Sequence, residues 1–286
     1  VTESIAGAAV LAADDTAVAM LREWVSAGRA EVGTHLHPWT TPPFASPWDD
    51  AGAFPSELPD ELLAAKFHTL TDYITARFGR APTSYRAGRF GFDTRTLGHL
   101  ESLGYVIDSS VTPLKSWAQY PGAPGGKGGP DFTRAPLAPY RLHREDVTRA
   151  GDSPVWELPL TILDDDRTPA ALHGRLGALP DAHLAARVLA KLKLRRRLWL
   201  RPTLESAPEM LDACTAAMAR GVPWFNMMIH SSELFPNTSP YFESTADIDA
   251  LFDRMDGAFE RIFRRYNPAP CTLTDAAARL SAHSPA

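Results

Sequence analysis

The feature that most limits how this chain can fold is a repeated local grammar of capped helix, glycine and short apolar strand. Asp15 heads a helical stretch from Thr16 to Ala27 that stops at Gly28 and leads into a strand over 31–34. Asp60 opens a helix with Leu62, Leu63, Phe67, Leu70, Tyr73 and Ile74 on one stripe; Gly79 closes it, and after Pro82 a short strand runs to Arg86. Asp93 heads a helix over 94–103, Gly104 ends it, and Tyr105-Val106-Ile107 runs into Asp108. Ser206, with Pro208 and Glu209 in the first turn, starts a helix that ends at Gly221, and 222–229 forms the strand that reaches His230. Ser or Asp at the start and Gly at the end satisfy the orphan backbone groups of helix termini. Further along, 153–161 reads as a strand holding Glu157. Ser244 with Asp247 starts a long helix to about Tyr266, and Cys271-Thr272-Leu273 reads as a last strand. Helices alternating with short apolar strands predict an α/β fold with a parallel sheet, open or closed as a barrel.

Four of these strands end on an ionisable residue: His35, Arg86, Asp108 and His230. In parallel α/β folds the carboxyl ends of the strands face the active site, so the four are candidate site residues. His35 and His37 are one residue apart, and in an extended backbone residues i and i+2 point to the same face. Two imidazoles on one face can chelate a divalent metal, with zinc the usual occupant. The competing reading is a pair of surface or partly buried histidines that hold nothing.

Bulk properties exclude other classes. A net charge of −5 over 286 residues argues against nucleic acid as the main partner. Cys214 and Cys271 are too few for a disulfide framework and read as small buried hydrophobes. No apolar run is long enough for a transmembrane helix. The sequence starts at Val1, so localisation is not read from this end. The basic run 191–197, with Trp199 and Arg201, reads as a helix face, solvated or in weak contact with an anionic membrane surface over 191–201. Asp164-Asp165-Asp166 reads as a solvated turn rather than a metal site. The Gly/Pro-rich stretch 121–130 is a surface loop. Trp39, Phe44 and Trp48, on a proline-rich loop after the histidines, could stack on sugar rings or pack the loop.

Several of these motifs occur together in one known family. Glu31-Val32-Gly33-Thr34-His35 resembles the histidine motif of the NodB-homology polysaccharide deacetylases, and Tyr85-Arg86-Ala87-Gly88-Arg89-Phe90-Gly91 resembles their arginine motif. Gly104-Tyr105-Val106-Ile107-Asp108-Ser109-Ser110 is similar to the strand that follows, and Met227-Met228-Ile229-His230 resembles the motif of the catalytic histidine. Order and spacing agree over residues 1 to about 275. The His35-Leu36-His37-Pro38-Trp39 run and the loop Asn237-Thr238-Ser239-Pro240-Tyr241 resemble a bacterial branch. The resemblance implies a distorted (β/α) barrel, a single catalytic domain over 1–286, and removal of acetyl groups from N-acetylated sugars. It implies a divalent metal, usually zinc, held by an aspartate and two histidines, with a second aspartate as general base. Carried across, His35 is the first metal histidine and His230 the general acid. Arg86 orients the base, Asp108 sets the tautomer of His230, and Trp39, Tyr85 and Phe90 face the substrate.

The chain departs from that pattern twice. The common pattern places the second metal histidine four residues after the first, and Trp39 stands there, so His37 takes that role. The family's paired aspartates follow a first barrel strand. Asp14-Asp15 is the nearest pair, and Asp15 serves as a helix cap. Because 1–5 fits the second strand better than the first, the metal aspartate and the base are expected upstream of Val1, which would leave this chain an amino-terminally truncated form. Two rivals stand beside the deacetylase: an amidohydrolase-type metal hydrolase, and a glycan-binding barrel or fragment without chemistry.

Overall fold

Caps and glycines place the helices where the grammar puts them. The computed structural model describes residues 15–44, 54–120, 122, 126–164, 184, 188 and 196–283. The helices are α1 (Asp15–Ser26), α2 (Asp60–Phe78), α3 (Thr94–Ser102), α4 (Ala207–Ala219), α5 (Thr245–Tyr266) and α6 (Leu273–His283). Asp93 Oδ1 accepts from Thr96 N at 2.9 Å to cap α3, and Ser206 and Glu209 form the capping box of α4. Gly79 ends α2 in the left-handed region, at φ 74°, where its N–H reaches Thr75 O; a side chain there would be strained. Asp15 is the first residue of α1, and its carboxylate pairs with Arg77 at the surface. Asp14 and 1–5 lie outside the described residues.

The strands are β1 (Thr34–Leu36), β2 (Ser84–Ala87), β3 (Ile107–Asp108), β4 (Tyr140–His143), β5 (Asp146–Ala150) and β6 (Trp156–Glu157), in the order β1-β2-β3-β6-β4-β5. β1, β2, β3 and β6 run parallel, while β4 is antiparallel to β6 and to β5. Helices α2 and α3 make the crossovers β1→β2 and β2→β3, as parallel neighbours require. The protein is thus a mixed α/β fold with a largely parallel sheet. β7 (Ile162–Asp164) and β8 (Arg197–Trp199) form a separate antiparallel pair.

Several expected strands differ. The first ladder covers 34–36 rather than 31–34, so His35 lies inside a strand instead of at its end. Over 153–161 only Trp156–Glu157 is laddered, because Pro154 and Pro159 each lack an N–H to donate. Residues 222–229 carry no ladder; Pro223 interrupts them, and one backbone bond ties Thr161 N to Asn226 O. Leu273 opens a helix, not a strand. Asp275 N donates to Thr272 Oγ1 and Thr272 N to Asp275 Oδ2, a cap that the expectation overlooked.

The chain divides into two compact units. The first comprises Val1–Val111, Ser116–Leu158 and Pro270–Ala286, the second Thr112–Lys115 and Pro159–Ala269. In the first, Phe67, Tyr85, Phe92 and Tyr105 pack between sheet and helices, and the Tyr105 hydroxyl is shared with Thr34 and Thr71. α6 is fastened to this unit by the buried Glu31 carboxylate, which accepts from Thr274 N and Oγ1, and by Trp156 Nε1 donating to Ser281 Oγ. In the second unit, Leu200, Met210, Cys214, Ala258 and Ile262 form the core beneath α4 and α5. Burial pushes the Cys214 thiol up to about 12, as expected of a structural cysteine.

Candidate functional site

In the first unit β1 and β2 set the two histidines. His35 is in register with Arg86 of β2, and His35 Nδ1 lies 2.7 Å from Arg86 O. A carbonyl only accepts, so Nδ1 carries the proton and Nε2 is left to accept. His37 is two residues on, and its Nε2 lies 2.9 Å from His35 Nε2, with the rings edge to face. The pair is therefore convergent, as strand alternation requires. Two nitrogens bound to one zinc at tetrahedral angles would stand about 3.3 Å apart. The fit is to two of a metal's ligands. Among the described residues no three His, Cys, Asp or Glu side chains gather as a cage.

Close packing holds His37. A Cβ on Gly88 would collide with Leu36 O and would stand 2.6 Å from His37 Nδ1, so only glycine fits there. Trp39 lies against the His37 ring, centroids 4.5 Å apart. Beneath this loop sits Lys66 of α2, fully buried. Its Nζ donates to Pro38 O (3.0 Å), Thr41 O (2.6 Å) and Pro43 O (2.7 Å). A buried ammonium requires such partners, and it pins the backbone that carries His37 and Trp39. Sequence reading missed Lys66, although its position between Leu63 and Leu70 places it on the buried stripe.

The arginine motif splits by strand parity. Tyr85 and Arg86 are adjacent on β2, so they face opposite sides. Tyr85 is wholly buried among Phe67, Phe92 and Tyr105, which corrects its assignment as a substrate contact. Arg86 Nε donates to Ser109 O and Nη2 to Ser109 Oγ, each at 2.9 Å. Burial draws its pKa down, and the charge of Asp108 offsets part of that. Phe90 follows Arg89 in the left-handed region, at φ 60° and 52°, and stacks on Trp117 at 5.2 Å. Only 8% of Phe90 is exposed, so it offers little surface to a substrate.

Asp108 has a different neighbourhood from the one expected. It is fully buried; Oδ1 accepts from Ser110 Oγ (2.7 Å), Oδ2 from Ser110 N (3.0 Å). On the next strand it is in register with Glu157, also fully buried, whose Oε1 accepts from Val111 N. Among the described residues, Glu157 Oε2 meets no N–H or O–H donor. Two carboxyls taken out of water side by side do not both ionise. Burial and the charge of Asp108 push Glu157 well above the usual carboxylate range. Asp108 is also raised by burial, but Ser110 favours its charged form. Of the two, Glu157 is the carboxyl pushed further toward its neutral form.

His230 belongs to the second unit. Its Nδ1 lies 2.9 Å from Glu233 Oε1, across a 3-10 turn over Ser231–Leu234 that folds residue i+3 back onto residue i. Glu233, which the sequence reading missed, replaces Asp108 as the carboxylate beside His230; His-x-x-Glu spacing was the signal. Its side chain is 1% exposed and also accepts from Arg201 Nη2, Thr203 Oγ1 and His230 N. Burial would raise its pKa, but bonds from His230 and Thr203 and the Arg201 charge hold it at about 2. The imidazole itself remains 44% exposed.

The described part of the basic run is a strand with paired charges, not a solvated helix face. Arg196 binds Glu205 and Glu209, Arg197 binds Asp164, Arg201 binds Glu233, and Leu198, Trp199 and Leu200 are buried. That arrangement leaves 196–201 no free basic face for a membrane. Residues 191–195, Trp48, Asp165 and Asp166 lie outside the described residues, as do 121 and 123–125 of the Gly/Pro-rich loop. No described helix is long and apolar enough to cross a membrane.

No family model matches this chain, and no curated protein matches it. Among solved structures it is similar to one described as a "putative polysaccharide deacetylase from Mycobacterium smegmatis", with a TM-score of 0.47 and 15% identity over 98% of this chain and 71% of that one. A likeness that distant carries no argument about function.

Proposed function

We propose that this protein is a metal-dependent hydrolase that removes N-acetyl groups from a glycan or amino sugar, on a barrel of the NodB-homology type. The observation that carries the reading is the convergence of His35 Nε2 and His37 Nε2 at 2.9 Å, with His35 Nδ1 bonded to Arg86 O. An outer hydrogen bond of that kind fixes the tautomer that a metal ligand needs. The motif resemblance, in the order His35, Arg86, His230, supports the same reading. His35 and His37 would hold the metal, most simply zinc. A divalent metal at these residues would supply a Lewis acid for the acetamide carbonyl and lower the pKa of a water. Arg86 would brace the strand carbonyl that orients His35 and Trp39 would present an aromatic face to the sugar, and the motif resemblance implies His230 as the general acid.

The test is acetate release from N-acetylglucosamine oligomers. Release that a chelator stops and zinc restores, that falls to background in His35→Ala and His37→Ala, and that drops by about 10²–10⁴ in His230→Ala is expected. No zinc-dependent release from any N-acetylated sugar would refute the proposal. The lack of a third donor beside the pair, among the described residues, favours a second reading. In it the same layout binds glycan without chemistry, and binding without acetate release would establish it.

A further inference from the structure

The second unit contains a constructed polar cluster that the proposed reaction does not yet explain. Glu233 is buried to 1% exposure, and both of its oxygens are committed. Oε1 accepts from Arg201 Nη2 (2.5 Å) and faces His230 Nδ1 (2.9 Å); Oε2 accepts from Thr203 Oγ1 (2.5 Å) and His230 N (3.3 Å). A carboxylate this deep is stable only if its charge is balanced, and Arg201 balances it. Arg201 is held from two further sides, by the rings of Trp199 (5.2 Å) and Tyr241 (5.4 Å), so its place does not depend on Glu233 alone. Among the described residues of this unit, the charged groups that face the imidazole Nδ1 are Glu233 and Arg201.

We infer that Glu233 is a positioning residue for His230, fixing the imidazole in the Nδ1–H tautomer so that Nε2 carries the reactive lone pair or proton. The inference follows from what each atom can do. A carboxylate with Arg201, Thr203 and the His230 amide already donating to it is an acceptor only, so His230 Nδ1 must be the donor. Arg201 Nη2 lies 3.3 Å from the same Nδ1, and it is the charge of Glu233 between them that lets two donors sit so close. The backbone bond from His230 N fixes the turn, so ring and carboxylate cannot drift apart. With Nδ1 committed inward, Nε2 is the nitrogen left for proton transfer on the exposed side. The role in catalysis rests on the deacetylase reading, but the tautomer does not.

The test begins with the unaltered protein. Nitrogen-15 NMR of its histidines, with His230→Gln to assign the signal, reads which nitrogen is protonated in the neutral ring. Nδ1–H is expected, and Nε2–H overturns the inference whatever the activity. In Glu233→Leu the lock is gone, and the Nε2–H form should appear. Acetate release should fall about 10²–10⁴-fold in kcat with KM little changed, as for a wrong tautomer. A Glu233→Leu protein that keeps Nδ1–H also overturns it. Should that variant fail to fold, the wild-type signal alone decides. Loss of the Nδ1–H form in Glu233→Leu, in a protein with no acetate release in any form, would refute the deacetylase reading and uphold the Glu233 lock.

Discussion

At the scale of single residues, two positions outside the histidine pair, Gly88 and Lys66, decide whether His37 can stand beside His35. Gly88 leaves the space in which the His37 ring lies, so Gly88→Ala must push either the ring or Leu36 O aside. We expect a loss of about 1–3 kcal/mol in urea unfolding, the usual cost of overpacking, together with weaker zinc binding. Lys66 donates to the carbonyls of Pro38, Thr41 and Pro43. Lys66→Met keeps the hydrophobic stem and removes the ammonium. It should cost about 3 kcal/mol and open residues 37–44 to proteolysis, since it strands buried acceptors. A Lys66→Met protein as stable and as protease-resistant as the parent would show that the clamp does nothing. Asp108 and Tyr85 illustrate the opposite lesson, that a residue in a motif can serve the interior. One lies buried in register with Glu157 and the other fills the aromatic core.

At the scale of elements, the helices were legible in the sequence and the strands only in part. Caps are local, so Asp93, Ser206 and Ser244 marked helix starts, and Gly79 marked an end, without tertiary help. Asp93→Ala should cost about 1 kcal/mol by urea unfolding, because it removes the acceptor for Thr96 N. Ladders, by contrast, depend on which segment lies alongside. Apolar content alone put strands at 222–229 and 271–273, where Pro223 and the Thr272–Asp275 cap rule them out. The same limit applied to the site. The i, i+2 spacing of His35 and His37 was readable because a strand of either neighbour makes it convergent. The partner of Arg86 was not, because it is set by the β2–β3 register, which brings Ser109 rather than a carboxylate. Glu233 and Lys66 lay in plain periodicity, at i+3 of a histidine and on an apolar stripe, and were passed over.

At the scale of the whole molecule, the two units should respond to pH in opposite directions. Glu157, in the first, has a folded pKa well above its ordinary value of 4.5, so the folded form binds its proton more tightly. Its contribution is complete below that value and is lost as pH rises toward the folded pKa. Glu233, in the second, is held at about 2, so its contribution is present above 4.5 and is lost as pH falls from there toward 2. Stability followed by urea unfolding across pH should therefore decline on the alkaline side through Glu157 and on the acid side through Glu233. Glu157→Gln should flatten the alkaline decline and leave the acid one; a variant that leaves both unchanged would mean the buried pair does not share a proton. The functional reading depends on a smaller matter, whether the two imidazoles of β1 and its loop hold a metal. Calorimetric titration of zinc into the purified chain answers it. One zinc per chain, lost in His35→Ala and in His37→Ala and retained in His230→Ala, is the predicted result; no binding, or binding indifferent to both histidines, would contradict it.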